Sequence, residues 1–170
     1  MKRIFSALIV LGIILVANVS SAEQEVRVSD YGLDKFISAY NRRAPADVKV
    51  NSTPKLAEKV EIGGYRYHSY SIEVGNAEDP VNLVCLVTLD GYISKIMLFG
   101  YLTKNFAKVT ATTMSTLGLN ETEYTKFIDA LQSNPRSQSI WCSASKRYIK
   151  YELNETKRGI NVTILSAYTN

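Results

Sequence analysis

The sequence predicts an α+β domain, an antiparallel sheet with helices packed on it, and three observations carry that expectation. Residues 81–100 are the most apolar stretch beyond the N-terminal segment. They contain Asp90-Gly91, a pair suited to a two-residue hairpin turn in which both central positions take positive φ. Apolar residues recur at helical spacing over 33–40 and again over 124–131, whereas most other segments alternate polar and apolar residues as strands do.

Residues 1–22 read as a cleaved signal peptide. Lys2-Arg3 precedes an apolar run over 4–19, and Ser20-Ser21-Ala22 supplies the small residues of a cleavage site. The run falls short of the ~20 residues of a spanning helix, and no cysteine near the cleavage point could accept a lipid. The expectation is therefore a periplasmic or extracellular product without a stable membrane anchor, folded as a single domain over 23–170.

Ser29-Asp30 is placed to cap a first helix ending near Arg43. Leu33, Phe36, Ile37 and Tyr40 form its buried stripe, and Pro45 stops it. Strands are expected over 56–62 and 65–74, joined by Gly63-Gly64. The Asp90-Gly91 turn should pair Leu83 with Leu98, Cys85 with Ile96 and Val87 with Ser94. Both faces of that hairpin are apolar, which places it mid-sheet with cover on each side.

After Gly100 the period changes. Phe106, Val109, Thr113 and Leu117 predict a second helix closed by Gly118. Asn120 with Glu123 forms a capping-box pattern, and Leu119 with Tyr124 a hydrophobic staple, so a third helix starts there and ends at Asn134-Pro135. Strands over 138–144, 147–154 and 159–168 complete the chain.

Short strings recur in the same order. The segment 35–40 resembles 126–131, Arg66-Tyr67 resembles Arg147-Tyr148, and Val81-Asn82-Leu83 resembles Ile160-Asn161-Val162. They suggest a tandem helix-strand-strand-strand duplication, with half-repeats at about 30–100 and 119–170.

Removing Lys2 and Arg3 lowers the formal charge from +4 to +2. With no basic cluster either, nucleic acid is not an expected partner. Two cysteines, Cys85 and Cys142, in an oxidising compartment predict a disulfide joining the halves. His68 is the only histidine and lies on a strand face with Arg66, Tyr70 and Ile72, which speaks for a sheet histidine rather than a general base. The Ser143–Lys146 tetrapeptide fits S-x-x-K in letters, yet it falls at a strand turn and has no S-D-N or K-T-G companion. No cofactor or metal site is expected, and an enzyme is the least favoured class.

What stands out is tyrosine, with eleven residues against one tryptophan. Alternation sets Tyr67 and Tyr148, with Lys150, among polar residues on the face opposite the apolar one. These three are the candidate protein-binding residues. The expected function is non-catalytic recognition of another protein, as an inhibitor, an immunity-type protein or an envelope adaptor. The alternative is a carrier of a lipid or other small apolar molecule.

Overall fold

The structure, a computed structural model, describes residues 24–76 and 78–169. The expected signal peptide lies outside them. Eight antiparallel strands form one sheet: β1 (Gln24–Val26), β2 (Lys55–Ile62), β3 (Tyr65–Gly75), β4 (Pro80–Thr88), β5 (Ile93–Gly100), β6 (Ser137–Cys142), β7 (Arg147–Glu155) and β8 (Asn161–Thr169). Across the sheet the order is β2-β3-β4-β5-β8-β7-β6, and β1 pairs with the end of β8. The helices are α1 (Leu33–Arg43), α2 (Lys104–Thr116) and α3 (Glu121–Ser133). The α+β class and the antiparallel sheet are as the sequence predicts.

Central placement follows from apolarity. Every residue of β5 is buried, and nearly all of β4. Register pairs Leu83 with Leu98 and Cys85 with Ile96, but Val87 with Ile93 rather than Ser94. The turn explains the shift. Gly91 donates to the Thr88 carbonyl, and among the described non-glycine residues only Lys146 has positive φ, so Asp90 does not. Gly91 at φ 90 makes this a three-residue loop with a glycine bulge, not a two-residue turn. Two consecutive positive-φ residues occur instead at Gly63 and Gly64, between β2 and β3.

All three helices lie on one face. Phe36 and Tyr40 of α1, Phe106 and Val109 of α2, and Phe127 of α3 join one core with Ile72, Leu83, Cys85, Ile96, Leu98, Ile149, Tyr151 and Leu165 of the sheet. The Phe127 ring meets the edge of Tyr151 at 5.2 Å. Helix α3 starts on a complete capping box: Asn120 Oδ1 accepts from the Glu123 N–H and Glu123 Oε2 from the Asn120 N–H. Helix α1 is capped differently from the expectation. Gly32 occupies its N-cap with no side-chain bond, because Asp30 is engaged by Arg147.

The tandem copies do not superpose. Each half does read helix, strand, strand, strand. However, β2, β3 and β4 enter from one edge of the sheet and β8, β7 and β6 leave toward the other, while β4 and β8 run in the same direction, two antiparallel steps apart. Both halves carry their helix on the same side. One half therefore mirrors the other, and no rotation aligns strand direction and helix side together. The recurring strings are the letters that amphipathic helices and alternating strands share.

The expected disulfide is absent as well. Cys85 and Cys142 are both buried free thiols. They share the helix face, but β4 and β6 are four strand spacings apart, on the order of 19 Å along the sheet, whereas a bond needs Cα atoms within ~7 Å. Cys142 Sγ instead lies 3.7 Å from the Leu117 carbonyl, beneath the α2–α3 junction.

Candidate functional site

The second sheet face carries none of the described helices, contrary to the expectation of cover on both sides. Strand pairing fixes what it presents, since paired residues point the same way. Its floor is Val84 and Leu86 of β4, Met97 and Phe99 of β5, and Val162 and Ile164 of β8. Val60, Ile62 and Tyr67 from the β2–β3 hairpin pack against this buried cluster. Polar residues flank it: Ser69 and Ser71 on β3, Lys150 and Glu152 on β7.

Aromatic residues gather at the corner where β6, β7 and β8 begin or end. Trp141, Tyr148 and Tyr168 are directly paired across the three strands. Tyr148 stacks on Tyr168 with centroids 5.1 Å apart and planes 11° from parallel, and Trp141 meets Tyr148 edge-on at 5.1 Å. Trp141 is 44 % exposed. Beside them, an open depression is lined by Trp141, Lys146, Tyr148 and Thr169. Residues 143–146 form the β6–β7 turn, which Lys146 completes at φ 53, a conformation costly for a side chain with a Cβ. That turn is anchored by Glu123, whose Oε1 accepts from the Ser143 N–H.

Of the sequence-derived candidates, the structure brings Tyr148 and Lys150 to this corner. It leaves Tyr67 on β3, again four strand spacings away, on the order of 19 Å along the sheet. Lys150 Nζ lies 3.5 Å from Glu152 Oε1, so its charge is partly answered within its own strand. Nothing local in the sequence singles out Trp141 or Tyr168. The alternation of β6 could have put Trp141 on the face of Tyr148, but only the sheet order shows that β8 adds Tyr168.

Elsewhere, a second open depression, about 360 Å³, lies between the loop at 49–53 and β3, and it is lined by polar residues including Lys49, Lys55, Ser71 and Glu73. His68 is on the helix face, its ring edge-on to Tyr70 at 6.5 Å, away from the aromatic corner. Burial pushes the Cys85 thiol and the Tyr40 phenol well above their ordinary ranges. Tyr40 nevertheless donates to the Val48 carbonyl at 3.1 Å. Both belong to the core. Among the described residues no three of His, Cys, Asp and Glu converge as metal ligands, and no helix is long and apolar enough to cross a membrane.

No family model matches the chain, and no curated protein and no solved structure matches it.

Proposed function

We propose that the chain is a secreted or periplasmic, non-catalytic binding protein that recognises another protein through the corner formed by Trp141, Tyr148 and Tyr168. The observation that carries this reading is the aromatic cluster itself, held on three paired strands with its tryptophan open to solvent. Rigid aromatic bodies with a polar edge release much free energy on burial and lose little conformational entropy, which is why they dominate binding hot spots. Paired strands hold the three rings in place before a partner arrives, which lowers the ordering cost of association. Lys146 and Lys150 border the rings and would favour a partner with acidic groups.

The carrier reading has one observation behind it, the apolar floor of the second face. Its residues are already buried, however, and the two described depressions are open and lined largely by polar or aromatic side chains. Protein recognition fits the exposed corner better.

Site-specific photocrosslinking in the native envelope tests the proposal. A photoreactive residue replacing Lys146 should give a discrete adduct with one protein, and the same residue at Lys59, exposed on the opposite sheet edge, should give none. Adducts absent at both positions, or identical at both, would count against recognition at this corner.

A further inference from the structure

The two edges of the sheet are built differently, and the difference concerns how a partner could attach. Strand β2 is guarded as exposed edges usually are, with Lys55, Glu58, Lys59 and Glu61 along it and a register shift between Leu56 and Glu58. Strand β6, Ser-Gln-Ser-Ile-Trp-Cys, has no charged residue and no bulge against β7. Among the described residues, its backbone groups hydrogen-bond within the β6–β7 ladder and to nothing else. Its outer N–H and C=O groups therefore remain a template for one more strand.

Charge selects what that strand is. Arg136 immediately precedes β6 and Lys146 closes the turn after it, and neither side chain has a carboxylate partner among the described residues. A second copy pairing antiparallel on β6 would bring the Arg136 of each chain toward the Lys146 of the other, so self-association sets like charges together at both ends. An acidic strand neutralises both. Resting on the protein-recognition reading above, we propose that β6 is a strand-addition site. Its occupant is an extended partner segment that bears Asp or Glu toward Arg136 and Lys146 and sets an apolar side chain on the Trp141–Tyr148–Tyr168 cluster. Main-chain bonds to β6 would supply affinity, and the rings and cations would supply register.

Fluorescence polarisation of the mature chain with three labelled peptides tests this: an alternating Glu-Val peptide with one central Trp, the same peptide N-methylated on alternate amides, and a Lys-Val counterpart. The acidic peptide should bind at least roughly tenfold more tightly than the basic one, and N-methylation should abolish binding because it removes strand pairing. The double variant Arg136→Glu, Lys146→Asp should invert the charge preference with unchanged thermal unfolding, since both positions lie outside the core and Asp tolerates positive φ. Failure of the acidic peptide to bind, equal binding of acidic and basic peptides, or indifference to N-methylation would overturn strand addition. So would a dimer by sedimentation that the charge-reversed variant strengthens. A photocrosslinked partner still held at full affinity by the charge-reversed variant would remove strand addition and leave recognition standing. A bound acidic peptide with no crosslinked partner would do the reverse.

Discussion

Arg147 Nη2 lies 2.9 Å from both carboxylate oxygens of Asp30, 117 residues earlier in the chain, while Nη1 donates to the Arg27 carbonyl. Arg147 is only 9 % exposed, and the contact fastens the segment before α1 to the start of β7. Val28 then reaches the Ile93 carbonyl at 3.0 Å, and the Arg27 guanidinium lies 4.2 Å over the Tyr92 ring.

This clamp makes the first prediction. Arg147→Ala leaves the Arg27 carbonyl without its donor and the Asp30 carboxylate with only the Arg27 Nε–H at 2.9 Å, and should destabilise the fold by about 2 kcal/mol. Arg147→Lys should recover little of it, because a single ammonium cannot serve both acceptors in the same geometry. Urea unfolding at constant m measures both. A loss well under half of this in Arg147→Ala would show the contact to be incidental.

Asp30 also shows what the sequence could and could not disclose. Ser29-Asp30 has the letters of a helix cap, but a long-range arginine claims the carboxylate and Ser29 Oγ accepts locally from the Tyr31 N–H, so Gly32 starts α1. Local information sufficed elsewhere. The Asn120–Glu123 box, the Gly63-Gly64 turn and the strand alternation are all settled by neighbours in sequence, and those boundaries agree with the structure to within a few residues. Sheet order is non-local. It decided the fate of the disulfide, the mirrored halves and the aromatic corner, because each depends on which strands lie side by side. Tyr148 was legible from alternation, whereas its partners Trp141 and Tyr168 needed β6, β7 and β8 to be neighbours. Strand β1 has only three residues, too few for any periodicity.

The cysteines give a second prediction. Thiol titration of the unfolded protein without prior reduction should find both Cys85 and Cys142 free, and a reductant should leave the unfolding temperature unchanged. Cys85→Ser places a hydroxyl among apolar side chains and should cost about 1 to 3 kcal/mol. One disulfide per chain in the purified protein would contradict the sheet order itself.

Glu123 links α3 to the turn that carries Lys146. Burial raises its carboxyl pKa, but hydrogen bonds from Ser143 and Asn120 outweigh burial and hold it below the ordinary carboxylate range. A carboxyl lowered in the folded state stabilises at neutral pH, and that contribution is lost as pH falls through its folded value. Because solvent screens this partly exposed carboxylate and glutamine keeps a capping-box acceptor, Glu123→Gln should cost only about 0.3 to 0.5 kcal/mol at neutral pH, and the gap to the parent protein should narrow in acid. A pH-independent difference would show that the charge contributes nothing.

The bulged loop between β4 and β5 depends on Gly91. Nothing lies within 4 Å of where its Cβ would be, so Gly91→Ala isolates backbone conformation at φ 90. It should destabilise by roughly 1 kcal/mol, and Gly91→Asn by less, because asparagine tolerates this region better. Equal stability of the alanine variant in chemical denaturation would argue for a different turn.

The most direct test of the account is the affinity of the photocrosslinked partner, measured by calorimetry, for the parent chain and for Trp141→Ala, Tyr148→Ala and Tyr67→Ala. Removal of either ring at the corner should weaken binding by about 1 to 2 kcal/mol with the fold intact, while Tyr67→Ala, four strands away, should leave affinity unchanged. Unaltered binding by both corner variants, or a loss confined to Tyr67→Ala, would contradict recognition through Trp141, Tyr148 and Tyr168.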